Sequence, residues 1–346
     1  MKKFLASILT AVFASCITAS AATITDNGDG KYTIQNDKVT MTVSKDGGKI
    51  LSFKYGENEV ISQTTFPNSF GSTFWTSPQK EWNWPPVPEF DRMPYQVTAG
   101  DKLIMTSEVS GRLKYQIRKE FNVDPADKAI VVTYSIINKS EETRQVAPWE
   151  ITRVPNDGII FFDAPLEDIT PAGLMDFKPA FGLSWYTADE AQQNRKINAD
   201  GKGWLAHCAK GLLMVKKFQD IDKSQPAPDE AEIQVYVNQR KTFIELESQG
   251  AYTTLKPGEE FTWTVRWYLQ PYDSTQPSEA LKKKVLDMIK GKEVLTENNV
   301  TKKRLRSDSQ PFLKMSGLLD SNQRPLAPQT CALPTALSPE HFCSLH

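Results

Sequence analysis

Runs that alternate between apolar and polar positions with a period of two recur between residues 38 and 269. Lys38-Val39-Thr40-Met41-Thr42-Val43 is the first, and Lys45-Asp46-Gly47-Gly48 turns the chain. Ile50-Leu51-Ser52-Phe53-Lys54-Tyr55 resumes the pattern, and Gly56-Glu57-Asn58-Glu59 turns again. Residues 129–137, 212–215, 233–237, 242–247 and 261–269 continue the series. β-Branched and aromatic residues dominate these runs, as a half-buried pleated surface requires. Residues 277–290 are the one persuasive helix: Leu281, Val285, Leu286 and Ile289 are spaced for one helical face. Nothing within 22–289 reads as a linker. The pattern predicts an all-β antiparallel sandwich with a short C-terminal helix.

The two ends fall outside this pattern. Met1-Lys2-Lys3, an apolar stretch from Phe4 to Ser15 and Ala19-Ser20-Ala21 have the order of an export signal, with cleavage expected before Ala22. Ala14-Ser15-Cys16 also resembles the end of a lipobox, which would place a lipid anchor on Cys16, although Phe13 stands where leucine is preferred. Either reading predicts an exported protein, periplasmic or extracellular. Residues 291–346 carry no strand or helix period. The stretch Gly317-Leu318-Leu319-Asp320-Ser321-Asn322-Gln323-Arg324-Pro325, with its continuation to Thr335, resembles spurious translation through a bacterial transfer-RNA gene. The expected division is therefore 1–21 signal, 22–290 one β-domain, and 291–346 a disordered or artefactual tail.

Setting the ends aside changes the charge and the chemistry. The whole chain of 346 residues has a net charge of −1, but residues 22–289 hold 31 basic and 37 acidic side chains, a net of −6. That mildly acidic core gives no reason to expect nucleic acid. No run after the signal approaches the ~18 apolar residues of a membrane helix. Of four cysteines and three histidines, the core keeps Cys208 and His207 alone. One thiol forms no intrachain disulfide. Metal-ligand spacings such as His-x-His or Cys-x-x-Cys are missing, so neither metal nor cofactor is expected. The oligomeric state is left open.

Three segments could carry chemistry. The densest is Phe70-Gly71-Ser72-Thr73-Phe74-Trp75-Thr76-Ser77-Pro78-Gln79 with Glu81-Trp82-Asn83-Trp84-Pro85-Pro86-Val87-Pro88. So many prolines predict a stiff loop rather than a central strand. Trp75, Trp82 and Trp84 would then offer flat apolar faces to the C–H face of a sugar, with Gln79 beside them for the hydroxyls. The alternative is that these indoles simply fill the core. In Val146-Ala147-Pro148-Trp149-Glu150-Ile151-Thr152-Arg153-Val154, Glu150 and Arg153 are three apart and fall on opposite faces of a regular strand. A bulge near Pro148 would bring them together, as a structural ion pair or a catalytic one. Glu245 and Glu247 share one strand face, where two carboxylates raise each other's pKa, or simply face solvent.

The order of these segments carries a resemblance. Gly47-Gly48-Lys49-Ile50-Leu51-Ser52, the run 131–140 leading into Pro148-Trp149-Glu150, and Glu247-Ser248-Gln249 before Leu255-Lys256-Pro257-Gly258-Glu259 resemble the galactose-mutarotase-like (aldose 1-epimerase-like) superfamily. Phe74-Trp75-Thr76-Ser77-Pro78-Gln79, Trp84-Pro85-Pro86 and Ala147-Pro148-Trp149-Glu150 look like signatures of an exported bacterial branch of it, a domain family of unknown function. The resemblance implies a β-supersandwich with a sugar-binding cleft. It implies Glu247 as the general base that takes the anomeric proton, with Gln249 beside it as a ligand residue. It also implies two histidines, one of them the acid, and this chain has neither; Trp149-Glu150-Ile151-Thr152-Arg153 occupies the place of one. Two readings result. One is an enzyme acting on a sugar or uronic acid, with Glu247 as base and Glu150 or Arg153 assisting. The other is a glycan-binding protein without catalysis that uses the tryptophan-rich loop.

Overall fold

In a computed structural model, residues 22–65 and 70–292 are described. The export signal, Cys16 and nearly all of the 291–346 tail lie outside the described residues. The alternating runs form two antiparallel sheets. The larger runs from Thr23–Asp26 through Lys31–Asn36, Val39–Ser44, Ile50–Tyr55, Ser72–Ser77, Arg144–Pro155, Phe243–Gln249 and Ile233–Val237 to Arg195–Ala199. The second centres on Glu260–Pro271, flanked by Ala129–Asn138 and Leu212–Lys217.

The core lies between the sheets because each strand turns alternate side chains inward. Along Tyr115–Asp124 the residues Tyr115, Ile117, Lys119 and Phe121 are buried, and the residues between them are partly exposed. Contacts between the sheets are aromatic. The Phe74 ring stacks on Tyr134 with centroids 4.2 Å apart, and Phe53 meets the face of Trp267 edge-on at 5.3 Å. Such pairs are worth about 0.5–1.5 kcal/mol beyond the area they bury.

Two expectations need correction. Residues 72–77 are not loop: Ser72–Ser77 is a fully buried strand lying between Ile50–Tyr55 and Arg144–Pro155. Within residues 70–88 every proline lies at or beyond Pro78, one place past the strand's last residue, so none removes a ladder hydrogen bond from it. The helix forms at Glu279–Ile289, capped by the Ser278 hydroxyl accepting from the Leu281 N–H at 3.1 Å. Leu281 and Val285 face inward, but Leu286 is exposed. No helix among the described residues is long and apolar enough to cross a membrane.

The proline-rich stretch is fastened to the sheet at the predicted Lys45–Gly48 turn. Gly47 has φ +69°, and a Cβ there would fall 2.0 Å from the Asp91 carbonyl oxygen, so only glycine fits. Its N–H donates to the Met93 carbonyl at 2.8 Å.

A buried carboxyl sets an expected pH dependence of stability. Glu232 is fully buried and accepts from the Gly203 N–H at 2.7 Å and the Ile221 N–H at 3.2 Å. Burial pushes its pKa up from 4.5 to about 8, against those two donors. Between these values the folded protein holds a proton that the unfolded chain has released. Its contribution to stability is therefore present below about 4.5 and is lost as pH rises through about 8, at ~1.4 kcal/mol per pH unit inside the window. Urea unfolding at several pH values should show this slope in the wild type and a flatter one in Glu232→Gln. Parallel curves for the two proteins would refute the assignment.

Candidate functional site

The site lies on the face of the larger sheet that points away from the second sheet, and strand register decides which side chains reach it. In Phe243–Gln249, the residues Phe243, Glu245, Glu247 and Gln249 share this face. Opposite them across the ladder stand Arg153 against Glu245, Ile151 against Glu247 and Trp149 against Gln249. On the other side, Tyr236 pairs with Glu245 and Gln234 with Glu247. One strand further, Lys196 pairs with Tyr236 and Asn198 with Gln234. Trp75 lies opposite Trp149. A single face thus gathers tryptophans, carboxylates, amides and a lysine that are far apart in sequence.

A cavity of about 590 Å³ opens on this face, lined by Trp75, Trp84, Trp149, Tyr236, Glu245 and Glu247 among others. That volume lies within the range of small-molecule sites. Glu247 lines it although only 1% exposed. One carboxylate oxygen, Oε2, accepts from the Trp149 indole N–H and from the Lys196 ammonium, both at 2.9 Å. The other, Oε1, is buried and accepts no hydrogen bond. Burial raises the Glu247 pKa, and Glu245 adds to the rise; the Lys196 charge and the two hydrogen bonds work against it. The result is a carboxylate more basic than usual with one lone-pair-bearing oxygen unclaimed. Lys196 also lies over the Trp149 ring, 4.8 Å from its centroid, and keeps part of its side chain in solvent.

The tryptophan-rich segment divides its work. Trp84 is 53% exposed and offers its ring to the cavity. Trp75 is nearly buried and meets the Trp84, Trp82 and Trp149 rings edge-on at 6.1, 5.4 and 5.6 Å, while its N–H donates to Asp91 at 2.9 Å. Trp82 is 2% exposed and donates to the Thr76 carbonyl at 2.8 Å. It does not line the cavity and serves as packing beneath the others.

Of the remaining expected site residues, Gln79 borders the cavity. Gln249 does not. It is fully buried and donates to Glu230, so its effect on the cleft passes through that carboxylate. Arg153 lies on the cleft face but is 1% exposed. Its Nε is 2.8 Å from Glu245 Oε1, and its guanidinium stacks under Trp75 at 5.6 Å. Its Nη2 has no hydrogen-bond partner, but Arg153 does not line the cavity and so does not meet the carboxylate of a uronic acid there. Glu150 stands on the opposite face, in the core, where it accepts from the Tyr134 hydroxyl at 2.9 Å and pairs with Lys216 at 3.2 Å. It cannot assist Glu247 from there, because regular strand geometry from Trp149 to Arg153 leaves no bulge to turn it outward.

His207 belongs to the second sheet. It is buried and its Nε2 is 2.8 Å from the Asp157 carbonyl oxygen, and burial lowers its pKa. Cys208 beside it is a buried thiol pushed up to about 12, which makes it inert as a nucleophile. Among the described residues, no group of three or more His, Cys, Asp or Glu is placed to hold a metal ion.

Lys196, Tyr236 and Asn238, which line the cavity, and Glu230, which accepts from Gln249, were not expected from sequence. The only signal for Lys196 and Asn198 is the weak alternation of Arg195-Lys196-Ile197-Asn198-Ala199, whose partners become known only through register.

Two antiparallel sheets and one short C-terminal helix make this a mostly-β fold whose neighbours among solved structures are galactose-mutarotase-like. Among solved structures, the chain is similar to a galactose mutarotase-like protein from Lactobacillus casei ATCC 334. The TM-score is 0.51 at 14% identity, over 70% of this chain and 100% of that one. It is similar to an aldose 1-epimerase candidate from Escherichia coli K12, with TM-score 0.50, 16% identity, and coverage of 73% and 100%. It also matches about half (49%) of a TPR-domain containing protein from Parabacteroides distasonis, over 72% of this chain, with TM-score 0.51 at 15% identity. No protein-family profile and no curated protein matches the sequence. At these identities the likeness concerns the fold.

Proposed function

We propose that the protein binds a sugar in the cleft beside Trp84 and that Glu247 accepts the proton of its anomeric hydroxyl. The observation that carries this reading is Glu247: a buried carboxylate of raised pKa, with Oε1 lacking any hydrogen-bond partner, that lines a cavity bearing an exposed indole. In the step envisaged, the O1–H proton passes to Glu247, the C1=O1 double bond forms and the bond from C1 to the ring oxygen breaks. The ring oxygen takes a proton from the Lys196 ammonium, which of the two donors 2.9 Å from Glu247 Oε2 is the one that can release a proton, the Trp149 indole N–H being far too weak an acid. Closure on the opposite face of C1 returns both protons. Lys196 thereby stands in for the missing histidine. The N-terminal sequence supports action outside the cytoplasm, in the periplasm or beyond it.

Binding without turnover is the second reading. It is favoured by the same Lys196–Glu247 ion pair, which must loosen before either group transfers a proton. Saturation-transfer NMR over a panel of aldoses distinguishes the two: accelerated anomer exchange supports the enzyme, and saturable binding with no acceleration supports the binder. On either reading, Trp84→Ala should weaken sugar affinity about tenfold, ~1.4 kcal/mol, by removing the exposed ring. Unchanged affinity in titration calorimetry would place the sugar elsewhere.

A further inference from the structure

A second cavity, of about 460 Å³, adjoins the first. The two share Gln79, Trp149 and Lys196 as lining residues, so these three form a sill between two chambers of one cleft. Each chamber is within the range of a ligand site in its own right. A single sugar unit placed with O1 at Glu247 occupies the first chamber and leaves the second without a ligand.

The second chamber has the features a sugar ring needs. Pro78, Pro171 and Pro228 give rigid apolar wall, and Asn198, Gln234 and Glu230 give hydrogen-bonding groups. Glu230 is held in place from behind. Its Oε1 accepts from the Gln79 N–H at 2.9 Å, and its Oε2 accepts from the Gln234 amide at 3.4 Å and from the Gln249 amide. A carboxylate fixed by three donors, on the wall of an open cavity, keeps lone pairs for a ligand hydroxyl.

Charge sets the ligand class. The lysines lining the two chambers are Lys80 and Lys196; Lys196 is 2.9 Å from Glu247, while Lys80 is exposed to solvent and comes only to 4.0 Å from the exposed Asp229. Arg153, behind Trp75, is paired with Glu245. The lining carboxylates Asp229, Glu230, Glu245 and Glu247 outnumber the two lysines, so a sulfate, phosphate or uronate would enter against like charge and lose hydration without a matching cation.

We infer that the ligand is a neutral oligosaccharide, its reducing-end unit in the first chamber and the next unit beyond the Lys196–Trp149 sill in the second. This rests on the sugar reading above and deepens it. The reducing end is assigned to the first chamber because Glu247 addresses a free anomeric hydroxyl, so the chain continues from another oxygen of that unit.

Titration calorimetry with glucose, galactose and N-acetylglucosamine, each beside its β-1,4-linked disaccharide and trisaccharide, tests the inference. In the series that binds, the disaccharide should bind at least about tenfold more tightly than the monosaccharide. Thr170→Trp, at an exposed position on the second chamber, should bring the disaccharide back to the affinity of the monosaccharide and leave the monosaccharide unchanged. Asn198→Ala, which only removes atoms, should reduce the disaccharide advantage in the same direction. Monosaccharide binding with no disaccharide advantage, or an advantage that survives both substitutions, would overturn the two-chamber inference and leave the sugar reading standing. Failure of every sugar to bind would overturn both.

Discussion

Glu247→Gln is expected to lower the rate of anomer exchange by about 10²–10⁴-fold while leaving sugar affinity within a few-fold of wild type. Glutamine keeps the shape of the side chain and an oxygen for the Trp149 N–H, but it cannot take a proton. Lys196 loses its partner, yet its side chain is partly in solvent and can be rehydrated at little cost. The pH profile carries a second expectation. A base works when ionised, so the rate should rise with pH through the Glu247 pKa. Burial lifts that pKa, so the rise should fall above the ordinary glutamate range. Lys196→Met removes the proposed proton donor and should itself slow exchange about 10²–10⁴-fold. Because the cation that opposes the shift is also gone, the rising limb of the exchange that remains should lie higher still. Saturation-transfer NMR from about pH 4 to 8 reads all three proteins. An active Gln variant would remove Glu247 from the role of base, and an inactive wild type that still binds sugar would leave the non-catalytic reading.

The class of fold was legible because period-two alternation and turn residues are local signals, written within each strand such as Val39–Ser44 or Ile233–Val237. What alternation does not say is which face points inward when both faces carry polar groups. Arg144–Pro155 illustrates this: nearly all of it is buried, because one face meets the second sheet and on the other Trp149 and Arg153 pack against the Trp75 and Trp82 rings. Alternation puts Glu150 and Arg153 on opposite faces, but only the tertiary pairing, with Lys216 of the second sheet and Glu245 of the neighbouring strand, says which of the two is the core ion pair and which the cleft-side one. Ser72–Ser77 was hidden by its neighbours, since the prolines that end the strand colour the whole segment as loop. Glu247 could be named because it is carried by a short local motif. Lys196 could not, because its meaning depends on a strand more than forty residues away.

The Glu150–Lys216 pair makes the other large expectation, this time for stability. Both side chains are fully buried between the sheets, where Lys216 also donates to the Thr152 hydroxyl at 2.9 Å and lies 5.1 Å from the Trp267 ring centroid. Burial depresses the Lys216 pKa, and the Glu150 charge opposes that shift. Such a pair contributes little net stability, because the desolvation of two ions offsets their attraction, but breaking it strands one of them. Lys216→Met should therefore cost about 3–5 kcal/mol in urea unfolding, with the buried Glu150 left beside the Tyr134 hydroxyl without the ammonium it pairs with. Adding Glu150→Gln, which retains an acceptor for the Tyr134 hydroxyl, should recover most of that loss. The recovery is the decisive reading. If the double variant is no more stable than Lys216→Met, the loss comes from packing around the lysine stem rather than from an orphaned charge. Because Glu150 stands on the core side of its strand, a double variant that folds should retain the sugar affinity of the wild type, which Glu150 would not allow if it belonged to the cleft.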